Sequence, residues 1–167
     1  LWDFVLDGTA DCLVSDHSAY TQEEKDAGHD DIFRSPLGCQ VMQETVPLVL
    51  DEAFHRRGLT LDAFVRFASA NAARISGTYP RKGTLLPGAD ADVVLWDLEH
   101  EWQVDARNQQ FSKNPWSPFD GRRARARVVR TLVRGETVFA DGEILAAPGS
   151  GRFLSCHAHY ALAAAAT

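Results

Sequence analysis

Cys12-Leu13-Val14-Ser15-Asp16-His17-Ser18 is the stretch on which the fold class turns. Three apolar residues in a row read as a short buried strand, and Ser15 to Ser18 read as its exit into a loop. A carboxylate at the C-terminal tip of a buried strand is where a parallel (β/α)8 barrel keeps its chemistry, because the strand ends open into the active-site mouth. Asp16 is therefore the candidate catalytic residue. Asp and Ser also serve as ordinary cap and turn residues, so the flanking sequence must decide between the two uses.

Upstream, Asp7-Gly8 and Asp11 bracket a turn before the strand. Downstream, residues 18 to 38 run through Gln22-Glu23-Glu24-Lys25-Asp26, Gly28 and Asp30-Asp31 to Ser35-Pro36-Leu37-Gly38 without strong periodicity. That is long for a connection, and directly after a candidate catalytic strand it reads as one wall of an active site. Val46, Val49, Leu50, Ala53 and Phe54 recur at helical spacing between Gln43 and Arg57, with Pro47 in the first turn and Gly58 placed to stop the helix. Leu61, Phe64, Val65 and Ala68 repeat the pattern behind Thr60 as N-cap, and Asn71 reads as the cap of one further turn ending at Gly77. His55, beside Arg56 and Arg57 in a last helical turn, reads as a surface residue.

Beyond Tyr79-Pro80 the period changes from helical to strand-like. Val93-Val94-Leu95-Trp96, Trp102-Gln103-Val104, Arg127 to Val133 and Thr137-Val138-Phe139 are short β-prone runs between Gly, Asp, Asn and Pro punctuation. Arg134-Gly135-Glu136 signals a tight hairpin, and Asp141-Gly142 marks a turn before Glu143-Ile144-Leu145. Residues 1–79 thus read as the last strand and helices of a barrel, 80–150 as strands of a small β-sandwich, and 151–167 as a tail. A (β/α)8 barrel takes about 250 residues. With 167 residues and an apolar start at Leu1-Trp2, the chain reads as the C-terminal part of a larger α/β protein.

Composition excludes more than it identifies. A net charge of −6, from 17 basic and 23 acidic residues, argues against a nucleic-acid surface or an anionic membrane as partner. Cys12, Cys39 and Cys156 show no CxxC spacing and fit reduced thiols in a cytoplasmic protein. No apolar run approaches the ~20 residues that cross a bilayer.

The order of motifs resembles one family. Ser15-Asp16-His17-Ser18, Pro36-Leu37-Gly38, Ala70-Asn71-Ala72-Ala73-Arg74-Ile75-Ser76-Gly77, Lys82-Gly83, Gly88-Ala89-Asp90-Ala91-Asp92-Val93-Val94 and Ser117-Pro118-Phe119-Asp120-Gly121 are similar to the C-terminal part of the cyclic amidohydrolases, with dihydropyrimidinases, hydantoinases and allantoinases as the nearest members. The likeness runs from about residue 2 to about residue 153. It implies a metal-dependent (β/α)8 hydrolase barrel followed by strands of a small β-sandwich. It also implies a two-zinc centre in the complete protein, to which Asp16 contributes a metal ligand while acting as general base. The small substrate is a cyclic amide of hydantoin, dihydropyrimidine, allantoin or dihydroorotate type, held through main-chain groups of the loop at Leu37 and Gly38.

The resemblance implies homo-oligomeric assembly as well, and a structural part for Asp90 and Asp92. His17 either orients Asp16, lines the pocket or serves as a hydrogen-bonded structural residue. The family's other ligands, a His-x-His pair, a carboxylated Lys and two further His, all precede the matching region. His157-Ala158-His159 has the pair spacing but sits in the tail and reads as a chance pair. This chain alone is accordingly expected to be inactive. Two other readings stand beside the enzyme: a non-catalytic amidohydrolase-like scaffold, and a stand-alone small binding domain.

Overall fold

The computed structural model describes residues 1–108 and 114–155. The pair His157 and His159 lies outside them. The described chain forms two compact units built from interleaved segments, residues 1–13, 58–97 and 128 onward in one, and 14–57 with 98–127 in the other. The boundary falls inside strand β1 (Val93–Gln103), after Asp97, and inside strand β2 (Arg123–Val133), after Arg127.

In the first unit, Trp2–Leu6 is a short helix, α1. The chain from Leu61 to Ile75 is one continuous helical run, α-helical over Leu61–Val65, π-helical over Arg66–Ala70 and α-helical again over Asn71–Ile75. Thr60 starts it as expected, its hydroxyl accepting the Ala63 amide at 3.2 Å. Asn71 does not cap a new turn. The helix passes through it, and its side chain instead donates to the Asp11 carbonyl at 2.9 Å. Phe64, Ala70 and Ala73 are the buried residues of this run.

The four-stranded sheet has the order β1-β2-β3-β4, with β3 at Glu136–Ala140 and β4 at Glu143–Ile144. β2 and β3 pair antiparallel, Val133 opposite Glu136 and Arg130 opposite Ala140, with a bulge between Thr131 and Leu132. The two-residue loop between them is the expected hairpin: Arg134 and Gly135 have φ of 53° and 81°, the left-handed pair that matches the twist of the flanking strands. The start of β1 is tied to this turn, because Asp92 Oδ1 accepts the Arg134 amide at 2.8 Å and the Gly135 amide donates to the Ala91 carbonyl at 2.9 Å.

Lys82 donates to Asp92 and lies 3.0 Å from Asp90, and Arg81 reaches Asp90 at 3.1 Å. The hydrogen bond with Asp92 raises the Lys82 pKa above its ordinary 10.5, burial opposing and Asp90 adding to the rise. The Lys82 hydrogen bond lowers Asp90 below 3.8, with Arg81 contributing in the same direction. Asp90 and Asp92 are thus turn and strand-start residues.

The second unit holds a helix over Thr45–Leu50 that continues as the π-helical stretch Asp51–Arg56. Its buried face differs from the expected one. Leu48, Leu50, Asp51 and Ala53 are buried, whereas Val46 is 36% exposed. The wider π turn aligns side chains five apart instead of four. Arg56 bonds Asp51 at 2.9 Å and Arg57 bonds Glu52 at 2.9 Å, each across five residues. Asp51 also accepts the Arg125 amide at 3.0 Å, which satisfies its second oxygen. Leu48, Val104 and Ala124 form the apolar centre of the unit, covered by Trp102 and Phe119.

Three further expectations need correction. Residues 12–15 make no paired strand, the Leu13 amide going to the Phe67 carbonyl at 3.1 Å, and the only ladder contact nearby is a single parallel bridge between His17 and Cys39. A strand needs a neighbour, and the described residues give this one a single residue of it. The polar stretch 18–38 is partly ordered: Gln22–Asp26 is a helix with a reciprocal capping box between Thr21 and Glu24, and Ile32–Arg34 is a 3₁₀ turn capped by Asp31. His55 is not a free surface residue, its Nε2 lying 2.9 Å from the Leu98 carbonyl and its ring edge-on to Phe54.

Candidate functional site

Asp16 stands exposed with φ of 47°, in the left-handed region that costs most residues free energy and that Asp and Asn tolerate best. Such outliers persist where the surroundings fix them, and they gather at functional sites. Here the surroundings are the next two residues and the strip Gly38 to Val41. The Ser18 amide donates to the Cys39 carbonyl at 3.0 Å, and the Val41 amide donates to His17 Nδ1 at 3.1 Å. His17 Nδ1 thus serves as a structural acceptor. It binds Asp16's segment to the strip that carries Leu37 and Gly38.

Gly38 makes that approach possible. Its φ is 84°, and a Cβ there would lie 2.7 Å from Ser18 Oγ and 3.1 Å from the Asp16 carbonyl oxygen. Only glycine serves at this position. Leu37, beside it, is 89% exposed. The structure therefore brings the three residues singled out from sequence, Asp16, Leu37 and Gly38, into one neighbourhood of one unit.

Three supports escaped the sequence reading. Lys25, on the Gln22–Asp26 helix, donates to the Pro36 carbonyl at 2.5 Å and to the Gly38 carbonyl at 3.1 Å. Asn114, 3% exposed, donates to the Ala19 carbonyl at 2.9 Å, and the Trp116 indole donates to the Tyr20 carbonyl at 2.8 Å. Together they pin the beginning and the end of the loop. The capping pattern Thr21-x-x-Glu24 announces the helix that carries Lys25; nothing local announces the partners of Lys25 or of Asn114.

No three His, Cys, Asp or Glu side chains among the described residues converge so as to hold a metal ion. Asp16 is one carboxylate, where a catalytic zinc takes three protein ligands. The described residues of this chain do not by themselves fit a metal centre. A cavity of about 670 Å³ in the same unit is lined by Asp51, His55, Arg56, Glu101 and Arg125 among others, and by neither Asp16 nor Leu37. Within it Arg56 pairs with Asp51 and Arg125 with Glu101 at 3.5 Å. No described helix is long and apolar enough to cross a membrane.

The comparison with known proteins gives the chain a family. The chain belongs to the amidohydrolase family, whose profile matches residues 1–138. It is 35% identical over 155 residues to an L-hydantoinase of Paenarthrobacter aurescens, covering 93% of this chain and 34% of that protein. A D-phenylhydantoinase of Escherichia coli strain K12 / DH10B is 34% identical over 155 residues, covering 92% and 33%. Among solved structures, the D-hydantoinase (dihydropyrimidinase) from Thermus sp. superposes with a TM-score of 0.85 at 30% identity, over 90% of this chain and 33% of that one. The chain spans about a third of the length of these relatives.

Proposed function

We propose that this chain is the C-terminal part of a metal-dependent hydrolase that opens cyclic amides of the hydantoin or dihydropyrimidine type, with Asp16 as its proton-transferring carboxylate. The observation that carries the reading is the meeting of Asp16, held at φ 47°, with the Leu37-Gly38 loop. In the reaction a water oxygen adds to a ring carbonyl carbon, the C–N bond breaks, and the water's proton ends on the departing nitrogen. In this proposal Asp16 accepts that proton and returns it. The free backbone edge at Leu37 supplies complementary groups for the ring's own –CO–NH–.

In the same proposal Asp16 is one ligand of a zinc centre whose other ligands come from outside this chain. When bound, zinc activates water and polarises the carbonyl. The rest of the barrel, the completion of a β-sandwich and self-association belong to the whole protein. The large apolar side chains left exposed here, Val14, Phe33, Leu85 and Phe153 among them, support such a complement.

The test is to supply the full-length protein, loaded with zinc, with a 5-substituted hydantoin and with dihydrouracil, and to follow the carbamoyl acid. Ring opening of either is the expected result. No product from either, with the protein folded and metal bound, favours the non-catalytic scaffold instead.

A further inference from the structure

The half-buried Lys25 presents a feature that its place on a polar helix does not require. Among the described residues its ammonium has no carboxylate partner; its charge is directed at two backbone carbonyls, those of Pro36 and Gly38. These flank Leu37 on either side. Leu37's own N–H and C=O have no hydrogen-bond partner among the described residues. One cation therefore ties down both neighbouring carbonyls and leaves the donor and acceptor between them unused.

Charge-assisted hydrogen bonds of this kind are stronger than neutral ones and fix the orientation of the peptide planes they touch. The Pro36 carbonyl belongs to the peptide that contains the Leu37 N–H, and the Leu37 carbonyl belongs to the peptide that contains the Gly38 N–H. Holding the Pro36 carbonyl thus fixes the plane of the Leu37 N–H directly, and holding the Gly38 carbonyl fixes the Gly38–Cys39 plane, so that the Leu37–Gly38 peptide with the Leu37 carbonyl is spanned between two held planes. The Lys25 helix is itself held by the Thr21–Glu24 capping box, Thr21 donating its amide to Glu24 at 2.7 Å. The clamp is anchored at its base.

We propose that Lys25 is a positioning residue for substrate: by bridging the Pro36 and Gly38 carbonyls it presents the free N–H and C=O of Leu37 to the complementary amide edge of the cyclic substrate. This rests on the reading of Leu37 as a ring-binding residue. Lys25 touches no reacting atom. Its contribution is to binding of the ring, and it leaves the proton transfer at Asp16 unaffected.

The experiment uses the full-length, zinc-loaded protein, its Lys25→Met and Lys25→Arg variants, and a 5-substituted hydantoin as probe. Lys25→Met keeps the length and loses the charge; it is expected to raise KM about tenfold or more with kcat within about twofold, because a ground-state binding interaction is lost. Lys25→Arg, which retains donors for both carbonyls, is expected to recover most of the lost affinity. A second measurement needs no turnover: chymotryptic cleavage after Leu37, read by mass spectrometry, should be faster in Lys25→Met than in the unsubstituted protein. An unchanged KM, a fall in kcat alone, or equal cleavage rates would overturn the clamp. Should the unsubstituted protein open no ring while cleavage still responds to Lys25→Met, the functional reading fails and the structural clamp stands.

Discussion

Gly38 shows how much of the site depends on one missing methyl group. Adding a Cβ would press on Ser18 Oγ at 2.7 Å and on the Asp16 carbonyl at 3.1 Å, with the backbone already at φ 84°. Gly38→Ala is therefore expected to destabilise the protein by about 1–3 kcal/mol. It should also move Asp16's segment away from Leu37. Urea denaturation measures the first effect; unchanged stability would mean that the close approach is not maintained in solution. Asp16 itself calls for a different substitution. Because Asn tolerates the left-handed region as Asp does, Asp16→Asn removes the proton acceptor without forcing the backbone to move.

The salt cluster at the start of β1 makes an element-scale prediction about pH. Lys82 has its folded pKa raised above 10.5, so its stabilisation is complete below that value and is lost as pH rises through the folded one. Asp90 has its folded pKa lowered below 3.8, so its stabilisation is present above 3.8 and is lost as pH falls through the folded value. Lys82→Met should flatten the decline in denaturation midpoint on the alkaline side and also weaken the Asp90 contribution on the acid side. A pH profile identical to that of the unsubstituted protein would remove the cluster from the stability of this strand.

At the same scale the sequence was legible where local rules dominate. Thr60 caps its helix, Arg134-Gly135 turns its hairpin, and Asp141-Gly142, with φ of 52° and 89°, turns the next. It was less legible where charged residues alternate. Asp97 to Glu101 and Arg123 to Arg127 lack β-formers, yet β1 and β2 run through them. Their period of two hides behind charge, as in Arg123-Ala124-Arg125-Ala126, where the alanines are 4% and 0% exposed. The π-helical stretches shifted the buried face of Thr45–Arg56 in a way that a period of 3.6 does not anticipate. Of the residues singled out for chemistry, Gly38 lies against the Asp16 carbonyl and Leu37 is its chain neighbour. Lys25 and Asn114 were missed because their partners are carbonyls 11 or more residues away, which leave no pattern in the chain.

At the scale of the whole molecule, the chain spans about a third of the length of its relatives, and the role proposed for Asp16 is proton transfer in ring-opening hydrolysis. Exposure of Asp16 makes the claim separable from folding, since no buried contact depends on its charge. The most direct measurement is kcat for a 5-substituted hydantoin with the full-length protein and its Asp16→Asn variant, alongside thermal melts of both. The expected result is a loss of about 10²–10⁴-fold in kcat with the melting temperature unchanged. Turnover of Asp16→Asn within a few-fold of the unsubstituted protein would contradict it.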